Sequence, residues 1–112
     1  MKKTETIKKN FEFKKMLHKG KYIPGKFIVV YYLENKEEKN KIGIAISKKV
    51  GKSVVRNRIK RLIRESYYAL EKDLKKQYSI VFMWRKNQNP DLITFWDIKN
   101  DIESTLKRVG VL

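Results

Sequence analysis

The chain has 112 residues and a formal net charge of +16 at pH 7, from 28 Lys and Arg against 12 Asp and Glu. This length allows one hydrophobic core, so we expect a single domain over residues 1–112. The sequence contains no cysteine and one histidine, which excludes disulfides, thiol nucleophiles and Cys/His zinc sites.

The first predicted helix lies near the N-terminus. Asn10 suits the N-cap position, and Phe13, Met16 and Leu17 follow at helical spacing. Gly20 is expected to end this helix in the left-handed conformation.

Two strands are predicted next. Residues 22–25 contain a proline and predict a turn, after which residues 26–33 are β-branched and aromatic, as in a strand covered on both faces. Residues 34–40 are polar and fit a hairpin loop. The following strand alternates large apolar residues with small ones: Ile42, Ile44 and Ile46 against Gly43, Ala45 and Ser47. Its second face is therefore nearly bare, which lets a helix, a backbone or a ligand come close.

The second half predicts a helix, a strand and a helix. Gly51 and Ser53 introduce a helix whose apolar stripe comprises Val55, Ile59, Leu62, Ile63, Ser66 and Leu70. Residues 78–84 predict a strand and residues 87–90 a loop. Thr94 and Asp97 have the spacing of a capping box, and they precede Phe95, Ile98, Ile102 and Leu106 of a final amphipathic helix. This order of elements predicts an α/β sandwich of one sheet and a few helices.

Positive charge is concentrated in the first half of the chain. Residues 1–65 contain 20 Lys and Arg against 6 Asp and Glu, whereas residues 66–112 contain 8 against 6. Such an imbalance is typical of a protein that binds a polyanion, and a nucleic acid is the expected partner. The N-terminal residues lack the apolar run of a secretory signal, and the longest apolar stretch, residues 27–33, is too short to span a bilayer. We therefore expect a cytoplasmic protein with no membrane partner.

Eight of the nineteen residues from 47 to 65 are basic. On a helical wheel Asn57, Lys60, Arg61 and Arg64 lie opposite the apolar stripe, so one face packs and the other is cationic. Arg56 and Arg58 are expected in the first helical turn, where the helix dipole disfavours each cation by about 0.3–1 kcal/mol. An anionic partner is expected to compensate, for example a phosphate that accepts hydrogen bonds from backbone N–H groups and the guanidinium groups. A solvated basic face is the alternative interpretation.

The basic segment contains Ser47-Lys48-Lys49 and then Arg56-Asn57-Arg58-Ile59-Lys60-Arg61-Leu62-Ile63-Arg64-Glu65. It resembles the signature of the protein component of bacterial ribonuclease P. Lys8-Lys9-Asn10, Glu12-Phe13 and strand 27–33 extend the resemblance over nearly the whole chain. In that family an RNA subunit with bound Mg²⁺ cuts the 5′ leader from precursor tRNA, while the protein binds the leader and steadies the active structure.

The resemblance implies a two-layer α/β (α+β) sandwich, with a four-stranded mixed sheet and about three helices, as in the second domain of ribosomal protein S5. The arginine-bearing helix would form a left-handed strand-helix-strand crossover. The residues implied to face the catalytic RNA and precursor tRNA are Lys48, Lys49, Lys52, Arg56, Asn57, Arg58, Lys60, Arg61 and Arg64. Those implied for the leader-binding cleft are Lys9, Phe13, Leu17 and Tyr31. The family often has an aromatic residue where this chain has Leu17, and Phe11 is an additional aromatic residue whose role stays open.

The same resemblance implies that the protein has no catalytic residues and no metal ligands of its own, and that Mg²⁺ enters through the RNA subunit. A protein oligomer is not required. Asp97 and Asp101 stand at i and i+4, and we interpret them as part of a solvated helix face. The alternatives are a ribosomal or general structural RNA-binding protein, and a DNA-binding domain with helix 53–70 in the major groove. Arg58→Ala and Arg61→Ala are both predicted to weaken RNA assembly without unfolding the domain.

Overall fold

The computed structural model describes residues 4–7, 9–35, 37, 39–75, 77–85 and 90–112. In chain order the strands and helices of this part are β1 (Thr4–Thr6), α1 (Asn10–Lys19), β2 (Lys21–Pro24), β3 (Ile28–Glu34), β4 (Asn40–Ala45), α2 (Ser53–Leu70), β5 (Tyr78–Trp84) and α3 (Phe95–Arg108). Single 3-10 turns occur at Lys48–Val50, Glu71–Asp73 and Pro90–Leu92. No helix of the described chain is long and apolar enough to cross a membrane. Of the predicted loop 87–90, all but Pro90 lies outside the described residues.

The strands form one mixed sheet in the order β1-β4-β5-β3-β2. Strands β1, β4 and β5 are parallel, whereas β3 is antiparallel to both β5 and β2. Helix α2 connects the parallel neighbours β4 and β5, as the resemblance implied, and the hand of this crossover stays a prediction. The described sheet has five strands, so the prediction of four was wrong.

Two local predictions about the strands were also wrong. Residues 21–24 form the edge strand β2 rather than a turn. Pro24 is tolerated there because an edge strand does not need every N–H for the ladder. Residues 34–40 do not close a hairpin, because β5 is inserted between β3 and β4 and pairs with both.

The main core lies between one face of the sheet and helices α2 and α3. Its fully buried side chains include Ile28, Val30, Ile80 and Phe82 from the sheet, Ile63 and Tyr67 from α2, and Ile98, Ile102 and Leu106 from α3. A smaller cluster on the opposite face joins Val81 of β5 to Met16 of α1 and to Ile7. Helices therefore cover both faces, and the predicted two-layer sandwich is replaced by three layers.

The helix ends agree with the sequence in part. The capping box of α3 is confirmed, since the Thr94 side chain accepts from Asp97 N–H and the Asp97 carboxylate accepts from Thr94 N–H. The N-cap of α1 is Lys9 rather than Asn10, and Gly20 has φ −72° and ψ 151°, which is extended rather than left-handed. Strand β5 has the predicted bounds.

Asp101 is not on a solvated face, so that interpretation was wrong. Its side chain is buried, and its carboxylate accepts hydrogen bonds from the backbone N–H groups of Lys26, Phe27 and Ile28 at 2.7, 2.8 and 3.1 Å. The bend between β2 and β3 is therefore fastened to α3. The Asp101 carboxylate thus supplies the acceptor that each of these three backbone N–H groups needs.

Candidate nucleic-acid interface

Helix α2 has one buried and one cationic face, as its sequence pattern predicts. Ile59, Leu62 and Ile63 are buried, whereas Arg61 and Arg64 are exposed. Asn57 is also exposed, and Lys60 is half-buried. Because the apolar stripe fixes the rotation of the helix on the sheet, it also fixes the direction of the basic side chains.

The first two arginines of α2 are engaged within the protein. Arg58 donates from Nη1 to the carbonyl of Pro90 and from Nη2 to the carbonyl of Ile93, both at 2.8 Å. Arg56 donates from Nη1 to the carbonyl of Gly51 at 2.6 Å. Since α2 begins at Ser53, Arg58 lies beyond the first turn, contrary to expectation. The expected compensation of these charges is supplied in part by backbone carbonyls.

The remaining arginines of α2 keep their charge available. Among the described residues, all five ion pairs join a lysine to a glutamate, and none includes an arginine of α2. Lys41 of β4 takes two of these pairs, with Glu12 and Glu37, and the hydrogen bond that its ammonium group donates to the Glu37 carboxylate raises the pKa of Lys41. Glu5, Glu12, Glu37 and Glu103 therefore pair with lysines outside α2, and no ion pair among the described residues neutralises the arginines of α2.

Three lysines precede the helix. Lys48 and Lys49 lie in an exposed 3-10 turn that begins where the Ser47 hydroxyl accepts from Lys49 N–H at 3.2 Å. Lys52 occupies the N-cap of α2, and its side chain makes no capping hydrogen bond. The cationic surface thus continues from α2 to the turn that follows β4.

A second group of predicted residues lies on the α1 side of the sheet. Phe13 and Tyr31 pack against the same small cluster, and the Phe13 ring lies directly over Gly43 of β4. The bare face predicted for β4 is confirmed, because α1 approaches the sheet there. One step further along the strands, Val29, Met83 and Ala45 form a half-buried row on the same face. We call the half-buried apolar surface beside α1 that is formed by Val29, Met83, Ala45, Tyr31 and Phe13 the trough.

The two groups meet at the edge of β4. A cavity of about 110 Å³ is lined by Phe13 from α1, by Gly43 and Ile44 from β4, and by Lys60 and Arg64 from α2. Strand β1 pairs with residues 40–42 of β4, and no described strand pairs with Gly43 or Ile44 on that side. An aromatic ring, two cations and this part of the strand edge therefore border one space.

Leu17 and Lys9, the other residues predicted for the leader-binding cleft, are both exposed. Leu17 is 41% exposed and lies one turn beyond Phe13 on α1. Lys9 is exposed, and its Nζ lies 5.6 Å from the centre of the Phe11 ring. Lys9 and Phe11 line a cavity of about 680 Å³ together with Glu12, Lys15 and Met16. Phe13, Leu17 and Tyr31 do not line that cavity, so Phe11 is separated from the trough.

Sequence reasoning missed Tyr22 of β2. Its side chain is exposed, and its ring centre lies 5.6 Å from that of Tyr31 at an interplanar angle of 33°. No local sequence pattern indicates this pair of rings, because Tyr22 and Tyr31 meet only through the pairing of β2 with β3 and Pro24 favours a turn over a strand.

These features define a small basic protein that has helices on both faces of a mixed sheet, and a cationic helix beside the trough. A model of the family described as Ribonuclease P matches residues 1–110. The ribonuclease P protein component of Clostridium botulinum (strain 657 / Type Ba4) is 42% identical over 110 residues, which cover 97% of each chain. The chain therefore belongs to the family of ribonuclease P protein components, the protein subunits of an endoribonuclease that acts in tRNA processing.

Solved structures agree with this assignment. The ribonuclease P protein of Staphylococcus aureus is 34% identical, with a TM-score of 0.83 and 95% of each chain covered. The ribonuclease P protein of Thermotoga maritima is 26% identical, with a TM-score of 0.85, and the match covers 93% of this chain and 96% of that one. The family name implies the ribonuclease P RNA as partner.

Proposed function

We propose that this protein binds the catalytic RNA of ribonuclease P through the cationic face of α2 and holds the 5′ leader of precursor tRNA in the trough beside α1. The observation that carries this proposal is the cavity at the edge of β4, where Phe13 of the trough and Lys60 and Arg64 of α2 line one space. A strand that leaves an RNA bound on the cationic face of α2 can enter the trough through this cavity, which Lys60 and Arg64 border.

The α2 face suits the phosphates of a folded RNA. Arg61 and Arg64 are exposed and have no ion-pair partner among the described residues. Guanidinium groups form paired hydrogen bonds with phosphate oxygens, and binding gains free energy as counterions are released. The proposed contacts also include the lysines of the preceding turn, Lys48, Lys49 and Lys52.

The trough suits an unpaired strand. Single-stranded nucleic acid is held by bases that stack on aromatic side chains next to a cationic wall, at about 1–3 kcal/mol for each stacked base. Phe13 and Tyr31 offer aromatic faces, and Leu17 offers an apolar contact without stacking. Stacking on these aromatic faces needs unpaired bases, so the proposed ligand is the single-stranded leader.

Catalysis is proposed to reside in the RNA. Among the described residues, no three His, Asp or Glu side chains are grouped so that they could hold a metal ion. Mg²⁺ prefers oxygen ligands and keeps several of its waters. The phosphate groups of an RNA provide such oxygen ligands. The residues of this chain would position the leader and screen phosphate repulsion while the RNA holds the metal.

A reconstitution tests this function. Precursor tRNA is incubated with ribonuclease P RNA transcribed in vitro at low Mg²⁺, with and without the protein, and cleavage of the leader is measured. The protein is expected to raise the cleavage rate and to show no cleavage without the RNA. Equal rates with and without the protein would refute the proposed function.

Binding measurements separate the two surfaces. With the catalytic RNA present, the protein is expected to raise affinity for precursor tRNA more than for mature tRNA. Equal effects on both would instead indicate a general RNA-binding protein, and preference for duplex DNA a DNA-binding domain. The plot of log K against log salt is expected to have a slope of about −0.7 to −0.9 per neutralised phosphate. Arg61→Ala is expected to reduce the magnitude of that slope by about 0.7–0.9, the contribution of one phosphate. Lys72→Ala removes an exposed cation beyond α2 and is expected to leave the slope unchanged.

A further inference from the structure

The aromatic surface beside α1 does not end at the residues of the trough. Tyr22 of β2 and Tyr31 of β3 are direct partners in the sheet register, and their rings are tilted by 33° with centres 5.6 Å apart. Tyr31 is half-buried against the small cluster, whereas Tyr22 is 66% exposed at the sheet edge. The two rings thus form a step that leads from the trough to solvent.

The position of α1 leaves this step accessible. The helix begins near β4, where Phe13 covers Gly43, and ends near β3, where Gly20 lies against the carbonyl of Tyr32. The last turn of the helix carries the exposed Lys19, and Lys21 next to Tyr22 is also exposed. An exposed aromatic face and exposed ammonium groups therefore occur in neighbouring elements, and both features are used to hold an unpaired strand.

We propose that Tyr22 is an additional stacking site for a base of the single-stranded leader, beyond the base or bases held by Phe13 and Tyr31. This inference rests on the function proposed above. A strand that enters at the cavity beside Lys60 and Arg64 and follows the half-buried sheet row Ala45, Met83, Val29 reaches β2 last, where Tyr22 lies on the same face. Tyr22 therefore contacts a nucleotide further from the cleavage site than those in the trough.

The proposal also assigns a consequence to Leu17. An aliphatic side chain on α1 cannot stack a base, and the exposed Phe11 lines a separate cavity on α1. Tyr22 supplies an aromatic face on the same side of the sheet as Tyr31. In this chain the stacking that α1 does not provide at Leu17 is provided from β2.

A leader-length series tests the proposal. Affinity is measured for the complex of catalytic RNA and protein with mature tRNA and with precursor tRNAs whose leaders are extended one nucleotide at a time. Tyr22→Ala is expected to weaken binding about 5- to 150-fold, the range for one stacked base, but only once the leader exceeds a threshold length. Tyr22→Phe is expected to bind as the unsubstituted protein does.

Phe11→Ala is the matched control, because Phe11 is a similarly exposed aromatic residue at 64%. It is expected to leave binding unchanged at every leader length. Thermal unfolding of each variant establishes that Tyr22→Ala remains folded.

The proposal is overturned if Tyr22→Ala binds long leaders as well as the unsubstituted protein while Tyr31→Ala does not. It is also overturned if Tyr22→Ala weakens binding of mature tRNA to the same extent. Failure of the proposed function has a different signature, in which the unsubstituted protein shows no gain from any leader, and that result removes both proposals.

Discussion

The ring of Phe13 occupies the space that a side chain on Gly43 would need. A Cβ atom built on Gly43 would lie 2.7 Å from Cζ of Phe13, which is closer than carbon atoms approach without displacement. The absence of a side chain on β4 therefore sets the height of α1 above the sheet. It also sets the orientation of the one aromatic ring that lines both the trough and the cavity beside α2.

Gly43→Ala is expected to displace Phe13 and to weaken binding of the leader while affinity for mature tRNA is kept. The clash should lower the free energy of unfolding by about 1–3 kcal/mol, as overpacking does. Chemical denaturation and the affinity for precursor and mature tRNA measure the two effects. The double variant Gly43→Ala/Phe13→Leu should regain stability without regaining leader affinity. A single variant that matches the unsubstituted protein in both measurements would contradict this account of the trough.

Arg58→Ala and Arg61→Ala are predicted to differ in their effect on the free energy of unfolding, although both residues belong to the same basic sequence motif. Arg58→Ala removes two charged hydrogen bonds to the carbonyls of Pro90 and Ile93, so the free energy of unfolding should fall by about 1.5–3 kcal/mol. Arg61→Ala removes an exposed side chain and should change it by no more than about 0.5 kcal/mol. Denaturant unfolding and affinity for the catalytic RNA distinguish the two.

The control for this pair is Arg58→Lys. One ammonium group cannot donate to both carbonyls in the planar geometry of a guanidinium, so an intermediate loss of stability is expected. If Arg58→Ala is as stable as Arg61→Ala, the bridge from α2 to residues 90–93 has no structural role. The prediction from the sequence that Arg58→Ala weakens RNA assembly without unfolding the domain would then hold.

The elements with a strong local signal were predictable. The apolar stripe of α2, the capping box of α3 and the continuous apolar run of β5 each depend only on residues that are close to one another in the sequence. Strand β1 has no such signal, because Thr-Glu-Thr becomes a strand only by pairing with β4, some 36 residues away. Insertion of β5 between β3 and β4 is likewise a property of the whole sheet.

The candidate site also contains features that the local sequence predicts and features that it does not. Rotation of α2 follows from its apolar stripe, so the direction of Arg61 and Arg64 was predictable. The partner of Arg58 comes from residues 90–93 and that of Asp101 from residues 26–28, and no local pattern indicates contacts over such distances. Tyr22 was missed because Pro24 favours a turn, and its contact with Tyr31 depends on the pairing of β2 with β3.

Asp101→Ala is expected to destabilise the fold more than any exposed acid does. It would leave the N–H groups of Lys26, Phe27 and Ile28 without their acceptor, at about 1–3 kcal/mol for each buried donor that water cannot reach. Glu103→Gln is the control on the same helix. Lys107 and Lys99 lower the pKa of Glu103, but these pairs lie at the surface and contribute about 0–1 kcal/mol. Equal midpoints of urea unfolding for the two variants would contradict the assignment.

Tyr67 is expected to make the stability of the fold sensitive to alkaline pH. Its ring is fully buried in α2, its hydroxyl lies 2.7 Å from Oγ1 of Thr4, and burial raises the pKa of Tyr67 from 10.0 to about 12. Because the neutral phenol is favoured in the folded state, this stabilisation is complete below pH 10 and is lost as the pH rises through 12.

The size of this effect follows from the shift of about two pKa units, which corresponds to about 2–3 kcal/mol. Denaturant unfolding at steps between pH 9 and 12 should therefore show a steeper loss of stability for the unsubstituted protein than for Tyr67→Phe. The two proteins differ only at this hydroxyl, so the difference between the two curves isolates Tyr67. Parallel curves over this range would show that the phenol ionises without cost to the fold, and that the contact between β1 and α2 does not depend on its proton.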